Sequence, residues 1–136
     1  MKLIPYLNFD GDCEAAFKFY ENVFGGKVVD MMIYGGSPME GDVPSDWQSK
    51  IMHTSLIVGD QEIMGSDSPP GYFEEPKGTA ITIGIADPEK AEQIFKALAE
   101  NGVVKMDIQE TFWAQRFGMV TDQFGTPWMI NCDKSA

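Results

Sequence analysis

His53 is the only histidine in this 136-residue chain. An imidazole titrates near neutrality, which suits a general base or a hydrogen-bond partner for a ligand. Ser55, Met64 and Ser66 lie in the same stretch, IMHTSLIVGDQEIMGSD, with Glu62 among them. A structural histidine bonded to Ser55, Ser66 or backbone fits the pattern equally well. No nucleophile, base and orienting group are spaced as a set, and one histidine cannot complete a zinc triad. Further on, Glu110, Trp113 and Arg116 follow one another. Arg116 could clamp an anionic ligand with Trp113 stacked on its flat part, or pair structurally with one of the 21 acidic residues. Met64, Met119 and Met129 would furnish either an adaptable apolar wall or ordinary core.

The elements that carry these residues follow from local pattern. Residues 51–58 and 61–67 read as two β-strands joined at Gly59-Asp60, a hairpin signal. A two-residue loop sets Val58 opposite Gln61, Leu56 opposite Ile63, Ser55 opposite Met64 and His53 opposite Ser66. Side chains alternate between faces. One face therefore carries Met52, Thr54, Leu56, Val58, Gln61 and Ile63, and reads as core. The other carries Ile51, His53, Ser55, Ile57, Glu62, Met64 and Ser66. That mixture suits a pocket wall; a solvent-facing sheet is the alternative.

Upstream, 3–9 reads as a strand, with Pro5 suggesting an edge or a bulge. Asp12 is placed to cap a helix, with Glu14 in its first turn. Ala16, Phe19, Tyr20 and Val23 give one amphipathic face, and Gly25-Gly26 ends the helix. Residues 27–34 form a strand, and 35–49 a long loop, expected to be a lid or a disordered insertion, with Trp47 as its anchor. Residues 68–78 read as a linker. The second half repeats the first: strand 79–86, Asp87-Pro88 opening a helix with Ala91, Ile94, Phe95 and Leu98 on its apolar face, then strands 103–108, 117–121 and 128–131. The helices repeat at an offset of 75 residues, as 87−12 and 95−20 both give. Asp122 is expected to hold the last turn through its side chain; Tyr6 and Trp128 read as structural aromatics, and Phe124-Gly125 as turn residues. The expectation is α+β: one domain of two βαβββ modules, about 1–67 and 79–133. Each module's helix covers one sheet face, and the other face must meet the second unit, a second chain or a ligand.

A net charge of −11 argues against nucleic acid and against an anionic membrane surface, since both need clustered Lys and Arg. Cys13 and Cys132 form no framework and read as free thiols of a reducing, cytoplasmic protein. No stretch approaches a signal peptide or a membrane span.

The runs PYLNFDGDCEAAFKFYENVFGGKV, MHTSLIVGDQEIMGSD and TFWAQRFGMVTDQFGTPWMIN resemble PhnB-like proteins of the vicinal oxygen chelate superfamily, which includes glyoxalases, bleomycin-resistance proteins and extradiol dioxygenases. The resemblance covers nearly the whole chain. It implies paired βαβββ modules in a U-shaped mixed sheet, and a homodimer. Some PhnB-like sequences carry a ubiquinone methyltransferase label, but no Gly-rich turn follows a parallel strand here. Metal-using members place His, Glu or Gln at four positions that fall on Pro5, Met64, Ala80 and Met129. Three of these, Pro5, Ala80 and Met129, cannot hold a divalent cation, and a thioether is too soft for Mg, Mn or Ni. No metal and no cofactor is therefore expected, and the function expected is binding of a small organic ligand by His53, Ser55, Met64, Ser66, Trp113, Arg116 and Met129. One alternative is a metal-dependent glyoxalase or dioxygenase using His53, Glu62 and Glu110; another is a metal-free enzyme with His53 as base.

Overall fold

The computed structural model describes residues 1–134, which divide into two compact units, 1–74 and from Glu75 onward. In the first unit strand β1 covers Tyr6–Phe9. It starts later than expected, but the Pro5 carbonyl still accepts from the Met64 N–H (2.9 Å). Helix α1 spans Cys13–Phe24 and ends at Gly25, whose φ of 70° is left-handed and suits glycine. Strand β2 is Lys27–Ile33, β3 Ile51–Val58 and β4 Gln61–Asp67. Their order is β1-β4-β3-β2, with β1 parallel to β4 and the other pairs antiparallel.

The hairpin has the register expected: Ser55 faces Met64, Leu56 faces Ile63 and Val58 faces Gln61. Ile51 departs from it. Met32 pairs with His53 while Ile33 pairs with Ile51, so Met52 is an extra residue in β3. That bulge reverses the alternation, and Ile51 is buried in the core rather than placed beside His53. The α1 stripe is also shifted. Cys13, Ala16, Phe17 and Tyr20 are buried, while Phe19 and Val23 are only half-buried. Phe17 fits because β4 offers Gly65: a Cβ there would lie 2.6 Å from Phe17 Cε1.

The segment expected to be a lid or a disordered insertion carries two short 3₁₀ turns, Glu40–Asp42 and Ser45–Trp47. Gln48 Nε2 donates to the carbonyls of Glu40, Val43 and Pro44 (3.1, 3.4 and 3.3 Å). Val43 is buried and Trp47 half-buried, so Gln48 and Val43 share the anchoring expected of Trp47.

In the second unit strand β5 is Ile81–Gly84, helix α2 Pro88–Ala99, β6 Val103–Gln109, β7 Ala114–Thr121 and β8 Pro127–Asp133. The order is β5-β8-β7-β6, the same arrangement as in the first unit. The α2 stripe is as expected, with Ala91, Ile94, Phe95 and Leu98 buried and Asp87 Oδ1 accepting from the Glu89 N–H (3.0 Å). Phe95 packs on Gly118 as Phe17 does on Gly65; a Cβ at Gly118 would lie 2.7 Å from Phe95 Cε2. Asp122 holds its turn as expected: Oδ1 accepts from the Phe124 and Thr126 N–H groups (2.8 and 3.0 Å), and Oδ2 from Trp128 Nε1 (2.8 Å).

Candidate functional site

The first sheet has one face covered by α1 and one face that the helix leaves open. Thr54 and Leu56 lie on the covered side and are fully buried. On the other side stand His53, Ser55, Glu62, Met64 and Ser66, and the pairing of Tyr6 with Met64 and of Asn8 with Ser66 adds those two residues. Ser55 Oγ donates to Glu62 Oε2 at 2.6 Å. Tyr6 Oη is 3.4 Å from His53 Nδ1, and their rings are 5.9 Å apart, tilted by 32°. Sequence reading placed Tyr6 in the structural frame; the register of β1 on β4 puts it instead beside the histidine, 47 residues away. Ser55 is buried, Ser66 nearly so, and His53, Glu62 and Met64 are half-buried. The arrangement is a polar row, fixed by its own hydrogen bonds and open on one side. It can hold and orient polar groups of a ligand, and His53 can exchange a proton. A groove of about 180 Å³ adjoins its Glu62 end, lined by Lys2, Leu3, Ile4, Asp60, Gln61 and Glu62.

Asp67, at the end of β4, escaped the sequence reading. Its buried carboxylate accepts three backbone N–H groups: Gly11 and Cys13 on Oδ1 (2.8 and 3.0 Å) and Ile51 on Oδ2 (2.9 Å). It thereby caps α1, the role expected of Asp12, whose side chain makes no cap bond. Desolvation beside the folded chain raises the pKa of the Asp12 carboxyl. Tyr34 donates to the Asp67 carbonyl (2.6 Å); burial raises its phenol pKa, and the Asp67 charge adds to the rise. Cys13 is pushed up in the same way, chiefly by burial, so it is a packed thiol and not a nucleophile.

The remaining candidates lie in the second unit. Arg116 Nε donates to Glu92 Oε1 of α2 at 2.6 Å, which raises the guanidinium pKa further; its Nη1 donates to the Gln115 carbonyl (2.6 Å). This is the structural pairing, and it leaves Trp113 unstacked on Arg116. Trp113 instead meets Phe112 and Phe117 edge-on, at 4.7 and 5.2 Å between ring centroids. Met129 is paired with Thr82 and Met119. Glu110 is 3.6 Å from Lys134. A groove of about 390 Å³ runs along Gly84, Ile85, Ala86, Gln115, Asp133 and Lys134 and touches none of the candidates.

Strands β1 and β5, Tyr6–Phe9 and Ile81–Gly84, are offset by 75, so Pro5 and Ala80 each lie one residue before their strand. Tyr6 stands opposite Met64, and Thr82 opposite Met129. Pro5 and Ala80 have no donor side chain, and the thioethers of Met64 and Met129 are too soft for Mg, Mn or Ni. Among the described residues no three His, Cys, Asp or Glu side chains are grouped to hold a metal ion. The residues present do not fit the superfamily's divalent metal.

A family described as 3-demethylubiquinone-9 3-methyltransferase matches residues 1–131. Protein YjdN of Escherichia coli K12 is 35% identical over 98% of this chain and 97% of its own. The crystal structure of PA1353 from Pseudomonas aeruginosa has a TM-score of 0.90, with 43% identity over 99% of both chains. A Bacillus cereus PhnB protein, a putative 3-demethylubiquinone-9 3-methyltransferase by title, has a TM-score of 0.81 at 22% identity, over 97% of this chain and 99% of that one. FosX of Listeria monocytogenes, a fosfomycin resistance protein, shares the fold at a TM-score of 0.67 and 11% identity, over 98% and 93%. The methyl transfer in the family's description needs a methyl donor, and a nucleotide-type donor favours a Gly-rich turn after a parallel strand. The turns after β1 and β5 read Asp10-Gly11-Asp12 and Ile85-Ala86-Asp87, one with a single glycine between two aspartates and the other without glycine, and do not fit such a group. By its match along residues 1–131, this chain belongs to that family, and it has the α+β fold of tandem βαβββ modules that these solved structures share.

Proposed function

We propose that this chain binds a small organic ligand on the helix-free face of its first sheet, without a divalent-metal cofactor. One observation carries the reading: Ser55 Oγ is held on Glu62 Oε2 at 2.6 Å in the same row as Tyr6, His53, Met64 and Ser66, on a face no helix covers. Buried polar groups that are already paired hold their geometry before a ligand arrives, which lowers the ordering cost of binding. His53, Ser55, Met64 and Ser66 are the proposed contacts; Arg116 stays with Glu92. The protein works in a reducing cytoplasm, a reading supported by two buried, unpaired cysteines. It works as a homodimer, supported by exposed Val29, Met32 and Ile33 on edge strand β2, since apolar edges invite a partner. No helix among the described residues is long and apolar enough to cross a membrane. The test is release of bound small molecules by denaturation, identified by mass spectrometry, from wild type and from Ser55→Val. The wild type should release one compound in stoichiometric amount and the variant should lose it.

A second reading, a metal-free enzyme with His53 as base, is favoured by Tyr6 Oη lying 3.4 Å from His53 Nδ1. A phenol so placed selects the histidine tautomer and leaves Nε2 for a substrate proton. If the released compound is turned over, His53→Ala should abolish turnover and keep binding.

A further inference from the structure

The open side of the second sheet carries a row of three methionines on three neighbouring strands. Met106 of β6 pairs with Met119 of β7, and Met119 pairs with Met129 of β8. Directly paired residues share a face. The face is the one away from α2, because Gly118 packs on Phe95 and Val120, Trp128 and Ile130 are fully buried. None of the three methionines is fully buried. Adjacent strands are about 4.8 Å apart, and each side chain has three rotatable bonds. Met106 and Met129 can therefore lean onto Met119 from either side.

A core needs no such row on its solvent side. We infer that Met106, Met119 and Met129 form a trithioether site for a soft monovalent d¹⁰ cation, Cu(I) or its congener Ag(I). Thioether sulfur selects Cu(I) and rejects Mg, Mn and Zn. The site shares Met129 with the four superfamily ligand positions but none of the other three, and does not rest on the ligand-binding reading of the first sheet. Thr82 Oγ1 donates to Met129 Sδ at 3.6 Å, a weak bond that occupies one lone pair and leaves the second for the cation. It also limits the rotation of that side chain. The chain's net charge of −11 favours cation approach. Binding moves no electrons if copper is supplied as Cu(I), and a neutral thioether releases no proton, so affinity should be flat with pH where cysteine-based binding is not.

The test uses the whole protein with ¹³C-labelled methionine methyls. It is titrated with Ag(I) in chloride-free buffer, and anaerobically with Cu(I) against bicinchoninate. Of the nine methionines, the methyls of Met106, Met119 and Met129 should shift together and saturate at one equivalent. Met119→Leu, close to isosteric, should weaken Cu(I) binding about tenfold or more, at least the loss of an outer-shell partner. Met39→Leu, in the 35–49 loop, should not. Met129→Leu gives the same readout if Met119→Leu fails to fold. No shift at one equivalent overturns the site. So do shifts confined to Met32 and Met64, copper uptake by the thiols with no methionine shift, or wild-type affinity in both Leu variants.

Discussion

Phe17 of α1 occupies the space that a side chain on Gly65 of β4 would need: a Cβ there would sit 2.6 Å from Phe17 Cε1 and 2.9 Å from the Leu7 carbonyl oxygen. The helix approaches the sheet closely because residue 65 has no Cβ, and that approach closes the covered side of the sheet whose other side carries His53. Gly65→Ala should therefore destabilise by about 1–3 kcal/mol, the usual cost of overpacking a core. Urea denaturation at unchanged m-value measures it. A variant as stable as the wild type would mean that helix and sheet have slack between them.

Asp67 ties three segments together through the N–H groups of Gly11, Cys13 and Ile51. Asp67→Asn keeps the shape but turns an amide N–H₂ toward at least one of those donors and removes the charge. The cost should be about 3 kcal/mol, given how much a buried hydrogen bond to a charged acceptor contributes. Chemical denaturation gives the number, and a loss below 1 kcal/mol would contradict the central role of this carboxylate.

Stability should also fall in alkali. Burial, with the charges of Asp67, Asp12 and Glu14 added, raises the Cys13 thiol pKa. In the unfolded chain a thiol ionises at about 8.5. Above that pH the unfolded state has released a proton that the folded state still holds. The contribution is whole below about pH 8.5 and is then lost at up to about 1.4 kcal/mol per pH unit. Tyr34, raised chiefly by burial, extends the loss further into alkali. Denaturation midpoints between pH 7 and pH 10 should fall for the wild type and fall less for Cys13→Ala. Equal slopes would place the alkaline sensitivity elsewhere.

The local signals in the sequence were good guides where one short segment decided the outcome. Gly59-Asp60 sets the register of β3 on β4 by itself, and that register alone brings Ser55 to Met64. The α2 stripe has a single consistent reading, and Asp87 caps its own helix. The misses share one cause, a partner far along the chain. Asp12 resembles a cap, but Asp67 performs that role from 54 residues beyond Cys13. Ile51 follows the alternation of its strand until the Met52 bulge, set by pairing with β2, moves it into the core. Phe17 and Phe19 are equally good apolar candidates until Gly65 makes room for one of them. Tyr6 reaches His53 only through β1 lying on β4. Arg116 had two readings, and Glu92 of α2 supplied the partner.

The central claim is that the row of Tyr6, His53, Ser55, Glu62, Met64 and Ser66 is a ligand-binding surface that works without a divalent cation. Native mass spectrometry of gently purified protein, run with elemental analysis on the same sample, tests it most directly. The expected result is a complex heavier than the polypeptide by one organic compound, lost in Ser55→Val, with Mn, Ni, Fe and Zn far below stoichiometry. Bare polypeptide mass in the wild type, or one equivalent of any of those metals, would contradict it.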